Sequence, residues 1–335
     1  MQGEHNPRLN SSEISVIWST IQNNSFSICV LEYFLAKVED PDVKPVLNFA
    51  LDISKKNFKM SKDILKKSSH PIPVGFTYKD VNPNAPRLFS DAFYLYYLKN
   101  MAKVGLSVYG VALTTSARSD VRQFLSQAIQ TSTDLYNKTA DTLLSKGLFI
   151  RSPFVSTPDT VDFVDKKNYL GGFLNFNNRP LNVIEITHLE ANSDTNTVGK
   201  ALLEGLAQVA KSKKVSDYCH RGAEIAKKHI KVFQEILSHD DVPTPSAWDV
   251  EVTNSTVSPF SDKLIMFHTT LLIGSSISNY ATSAAASLRK DIAASYVRLT
   301  TESAQFANDG IDIMIKNEWL EEPPQVPDRK NLAKD

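Results

Sequence analysis

Six acidic residues of this sequence come in pairs that could do metal chemistry. Glu32 and Glu204, Asp52 and Glu224, and Asp91 and Asp262 stand 171 or 172 residues apart. Carboxylates on the inward faces of four neighbouring helices hold two divalent ions when two of those helices also carry Glu-x-x-His, whose i and i+3 side chains share one face. Neither copy of the segment that would carry that pair has it: "DISKKNFKMSKDIL" (52–65) and "EIAKKHIKVFQEIL" (224–237) contain none. Asp91 and Asp262 fall at the very start of their helices, so the acids make half a ligand set, and no metal is expected. Neutral residues stand at the seam positions instead: Asn24, Asn57 and Tyr109 in one copy, Asn196, His229 and Tyr280 in the other. These six are the candidate inward network. The simpler reading of the same residues, and the one favoured, is that they are satisfied core polar groups that fix packing register. His220 and Glu224, four apart, read as a surface pair. No GxGxxG, GxxxxGK[ST], GxSxG or HExxH occurs, so neither a catalytic residue nor a cofactor is assigned.

The elements that must position these residues are written twice. The two fourteen-residue segments share six identities, and adding 172 to the first gives the second. The register extends from Leu9, Asn10 and Glu13 (Leu181, Asn182 and Glu185) to Pro71 and Pro73 (Pro243 and Pro245). It becomes 171 from Phe89-Ser90-Asp91 (Phe260-Ser261-Asp262) to Asp141 (Asp312). A period this long is a duplicated domain rather than a solenoid repeat. Each copy is expected to be an independent bundle with its own core.

Apolar residues at helical spacing, such as Ile17, Ile21, Ile28, Leu31 and Leu35, predict four helices per copy. In the first copy they are 11–38, 42–67, 88–115 and 119–146. In the second they are 182–211, 215–238, 259–287 and 288–317. Alternating strand-like residues hardly occur outside Val250–Val257. Links between the first and second helices, and between the third and fourth, are short. The second and third are joined by long proline-rich segments, "SSHPIPVGFTYKDVNPNAPR" and "HDDVPTPSAWDVEVTNSTVS". One long crossover in the middle is the ferritin-like variant of the bundle. The predicted fold is therefore all-α: two tandem ferritin-like four-helix bundles at 9–147 and 181–320. Residues 148–180 read as an ordered strap whose aromatics (Phe149, Phe154, Phe163, Tyr169, Phe173 and Phe176) are buried against the bundles. Residues 321–335 read as an extended tail.

Lys+Arg and Asp+Glu both number 37, so the 335-residue chain has zero formal charge. That argues against nucleic acid or an anionic membrane as partner and permits self-association. Two cysteines, Cys29 and Cys219, make no disulfide framework, which fits a reducing compartment. The N-terminus has no signal-peptide pattern. Leu264–Leu288 lacks charged residues but is rich in Ser and Thr, and reads as a helix surrounded by protein rather than a membrane span. Its small-residue part, "LIGSSISNYATSAAAS", suits either the contact between the bundles or a contact between subunits.

"NRPLNVIEITHL" (178–189), "GLFIRSPFVSTPDTVDFV" (147–164) and the two PxP crossovers resemble a tandem ferritin-like family of Bacillus-type spore formers related to the spore coat protein F group. The resemblance covers about residues 9 to 325. It implies a sporulating bacterium and a spore-associated role, in the mother cell, the spore or its surface layers, and it implies no catalytic residue. The expected function is that of a non-enzymatic, self-associating structural protein with itself or other spore proteins as partners. The alternatives are a metal- or cofactor-dependent enzyme and a binder of a small apolar ligand in a bundle core.

Overall fold

The structure is a computed structural model that describes residues 7–172, 178–244 and 252–329. Among these residues there are eight α-helices: α1 (Ser11–Lys37), α2 (Val43–Lys67), α3 (Asp91–Thr114), α4 (Ser119–Ser145), α5 (Val183–Val209), α6 (Lys213–His239), α7 (Asp262–Ala286) and α8 (Lys290–Lys316). They form two four-helix bundles in tandem. Asn10 and Asn182 start α1 and α5 with identical capping boxes. Each accepts from the N–H of Glu13 or Glu185, and that glutamate accepts from the cap's own N–H. The third helices begin three residues later than the periodicity predicts. Ser90 and Ser261 cap them by accepting from Phe93 N–H and Leu264 N–H, which leaves Phe89 and Phe260 outside the helix.

Helix directions follow from the contacts at the ends. Ser12 of α1 meets Thr115 beyond the end of α3, and Glu39 meets Asp91 at its beginning, so α1 and α3 are antiparallel. Ser68 meets Arg118 and Asp42 meets Lys146, so α2 and α4 are antiparallel. With α1 and α2 joined by a tight turn, α2 and α3 run parallel. The crossover between them therefore traverses the bundle's length.

Asp91 and Asp262 have a structural task that the metal reading did not assign. Asp91 accepts from Asp40 N–H at 2.9 Å, and Asp262 accepts from Lys211 N–H at 3.0 Å and Ser212 N–H at 2.8 Å. Each ties the start of its third helix to the turn between the first two. Asp91→Ala and Asp262→Ala are each expected to cost about 1–2 kcal/mol in urea unfolding, with wild-type helix content kept.

The expectation of two independent cores is corrected. The outer end of each bundle has a cluster of its own, around Ile17, Ile21 and Phe124 in one and Leu189, Phe233 and Tyr296 in the other. At the inner ends one continuous core includes Phe34, Tyr94 and Phe89 with Leu206, Phe260 and Leu264. Phe26 packs on Phe267 (ring centroids 5.6 Å apart) and Tyr33 on Phe260 (5.3 Å). Helical periodicity marks which face of a helix is apolar but not what it meets, so a core shared by two repeats reads as two cores.

The strap expectation is corrected in part. Phe149 packs on the shared core, and Tyr169 lies under the Arg179 guanidinium at 4.0 Å. Phe154 and Phe163 are 89% and 92% exposed, so their aromatic character does not bring them under cover. Phe173 and Phe176 lie outside the described residues, as do residues 250 and 251 of the strand-like stretch at 250–257; the described remainder, 252–257, forms no strand, and Val252 makes one isolated bridge, to Phe89. Past α8, Trp319 packs on the core and Glu321 accepts from the Val74 and Gly75 N–H groups, tying the start of the tail to the first crossover. No helix among the described residues is long and apolar enough to cross a membrane.

Candidate functional site: the polar seams of the two bundles

Ile53, Ile64, Val232 and Ile236 turn the second helix of each bundle inward, which carries Asn57 and His229 to the seam. In the first bundle Asn24 donates to Thr20 O at 2.8 Å and reaches Tyr109 OH at 3.5 Å, and Asn57 lies close enough to the same hydroxyl to influence its ionisation. In the second, Tyr280 OH donates to Asn196 Oδ1 at 2.9 Å and lies 3.0 Å from His229 Nδ1. The six residues singled out in the sequence thus form two triads, one per bundle. Burial pushes both tyrosine hydroxyls above their ordinary pKa.

The second triad continues outward. His229 Nε2 is 3.3 Å from Glu302, whose carboxylate also accepts from Lys228 Nζ at 2.8 Å. Burial lowers the His229 pKa below its ordinary value, outweighing the pull of Glu302. Burial alone would raise Glu302, but its bonds to Lys228 and His229 hold it below the usual carboxylate range. A neutral imidazole and one phenol supply two hydrogens for the three contacts from Asn196 to Glu302, so one of the three lacks a hydrogen until the ring gains a second proton. Thr131 stands where the second bundle has Glu302, and Asn57 where it has His229, so the two substitutions form a matched pair. A lone glutamate on a charged helix reads as solvent-facing, and only its 171-residue equivalence to Thr131 marks it.

Sequence reasoning also missed how far polarity spreads in the second bundle. Val16, Thr20, Ala112 and Leu125 of the first are replaced by His188, Asn192, Ser283 and Tyr296. Asn192 donates to Ser283 Oγ at 2.8 Å, Tyr296 OH lies 3.4 Å away, and Ser283 Oγ is 3.1 Å from His188 Nδ1. The chain does contain one Glu-x-x-His, Glu185–His188, which the ligand reading passed over. Its members are engaged elsewhere. Glu185 accepts from Arg179 at 2.8 and 2.9 Å and from the Asn182 and Arg289 N–H groups, while His188 meets Ser283. Glu32 pairs with Lys55, Glu204 with Lys200 and Glu224 with Lys227, while Asp52 and His220 are exposed. Among the described residues no three His, Cys, Asp or Glu side chains are grouped closely enough to hold an ion. What this arrangement does chemically is cross-link helices through mutual hydrogen bonds. Tyr280→Phe is expected to cost about 1–3 kcal/mol, because Asn196 and His229 both lose a buried partner. Tyr109→Phe should cost about 1 kcal/mol, measured in parallel urea titrations.

The duplication seen in the fold has a counterpart in comparisons with known proteins. A family model described as a protein of unknown function, DUF3231, matches residues 2–161 and matches again at 171–332. The chain belongs to the DUF3231 family. Each DUF3231 match holds one bundle with its triad, and the first extends through the exposed Phe154. Among solved structures, the chain is similar to a Bacillus halodurans C-125 protein provisionally named a spore coat protein. The two are 19% identical over 45% of this chain and 98% of that one, with a TM-score of 0.41. No curated protein matches the chain.

Proposed function

We propose that the chain is a non-catalytic structural protein, acting by binding other proteins, itself included, in a spore-forming bacterium. The observation that carries this reading is the chemistry of the seams. The inward polar side chains bond one another, and the duplicated acids, apart from the exposed Asp52, are spent on lysine pairs or on backbone caps. The parallel course of α2 and α3 supports a ferritin-like bundle in which this mesh stands where a metal-binding relative places its ligands. Phe154 and Phe163, exposed on the segment between the bundles, support a surface made for protein contact. The sporulation setting rests on the resemblance of residues 147–164 and 178–189, and the mother cell or the spore is the corresponding location. Elemental analysis of the full chain purified from its source tests the non-catalytic reading. Trace transition metal is expected, and a stoichiometric amount overturns it.

A further inference from the structure

The contacts between the two bundles repeat with the bundles exchanged. Asn82 N–H donates to Pro259 O at 2.7 Å, and Thr253 N–H donates to Leu88 O at 2.9 Å. Adding 171 to 82 and 88 gives 253 and 259, so these are one bond made twice. The two antiparallel bridges behave alike: Val81 pairs with Phe260, and Phe89 pairs with Val252. Tyr97 and His268 are equivalent positions, and they touch each other, with 3.2 Å between Tyr97 OH and His268 Nε2. Equivalent residues meet only on a two-fold axis, and a surface in which i meets j′ while j meets i′ is isologous.

We propose that the inner face of each bundle is a self-complementary docking surface whose partner is another bundle of this kind, and that the two copies have diverged so that only the first accepts the second. The charges on the two sides of the axis carry the second half of this proposal. On one side α3 brings Lys99 and Lys103 against α5. Lys99 Nζ is 3.0 Å from Asp194 Oδ2 with both side chains largely buried, and Lys103 Nζ donates to Thr195 at 3.3 Å. The other oxygen of Asp194 has no hydrogen bond, so the carboxylate depends on Lys99. Glu190, one turn away, is buried too. Burial lowers the Lys103 pKa and raises that of Glu190.

The symmetric side is neutral. Thr270 and Gly274 stand where Lys99 and Lys103 do, and Gln22 and Trp18 where Asp194 and Glu190 do. Pairing two first bundles would set both lysines against Gln22 and Trp18, twice over. Pairing two second bundles would bury Asp194 and Glu190 against Thr270 and Gly274. A buried charge stripped of its partner is heavily penalised, so both like pairings are rejected and the mixed one is accepted. The connecting segment then serves to keep the halves at high local concentration, and it is not needed for their recognition.

The full chain tests this directly. A protease recognition sequence replacing the exposed residues 157–162 allows the folded protein to be cut between the bundles. Native mass spectrometry of the cut protein, mixed with an isotope-labelled cut copy and allowed to exchange, is expected to show only first-with-second pairs. Lys99→Asp should weaken the cut pair roughly 100-fold or more, and adding Asp194→Lys should recover most of that loss. Separation of the cut wild-type halves on gel filtration overturns the docking surface. Like pairs as abundant as mixed ones overturn the selectivity, and that result needs no variant to fold.

Discussion

Glu185→Ala is expected to lower stability by about 3–5 kcal/mol, the largest loss from any single surface-distant polar group in the second bundle. The carboxylate is fully buried. It closes the α5 capping box, takes both arms of Arg179 and accepts the Arg289 N–H at the start of α8. Burial alone would raise its pKa, but the Arg179 guanidinium and the two backbone N–H groups more than offset this and hold it below the usual carboxylate range. Alanine leaves Arg179 without its carboxylate and two helix-end N–H groups, those of Asn182 and Arg289, without an acceptor. The equivalent Glu13 accepts from the N–H groups of Asn10, Ala117 and Arg118, and among the described residues no guanidinium bonds it. Glu13→Ala should therefore cost less, about 2–3 kcal/mol. Urea midpoints of the two variants against wild type check the order. The sign with pH follows from the depressed pKa: the Glu185 contribution is present above the unfolded value near 4.3 and is lost as pH falls through the folded one.

Acid should also loosen the junction between the bundles, through His268. Its ring lies between Phe26, with centroids 4.6 Å apart, and Tyr97, and its Nδ1 has no partner among the described residues. Burial lowers its pKa to about 3. A base whose folded pKa is depressed gives stability that is fully present above its unfolded value, about 6.5, and is lost as pH falls from there toward the folded one. The linkage amounts to about 4–5 kcal/mol over that window, and His229 adds to it in the same direction. Below about pH 4 the carboxylates Glu185, Asp291 and Glu302, all held low, join the loss. His268→Gln keeps a partner for Tyr97 and cannot titrate. It should be about 1–2 kcal/mol less stable at pH 7 and show a shallower decline to pH 4 than wild type. Parallel pH profiles for the two proteins would contradict the assignment.

The contrast between the seams and the junction shows what the sequence discloses. The six triad residues are legible because each sits at helical spacing among aliphatic neighbours, and the duplication presents each position twice. Glu302 and Asp194 are not legible in this way. One looks like an outward charge on α8 and the other sits in the polar run "ANSDTN", and nothing local says that His229 or Lys99 comes to meet it. Phe154 and Phe163 mislead for the opposite reason, since an aromatic side chain states a preference for burial without saying where the cover is. The two-fold relation between the crossovers is written in the 171-residue offset, but only their pairing in space turns it into an interface.

The mass of the full chain in solution tests the central claim, that this is a structural protein that associates with itself. Light scattering across a hundredfold range of concentration is expected to show a mass that climbs above the 37.3 kDa of one chain. A single 37.3-kDa species at every concentration would contradict it.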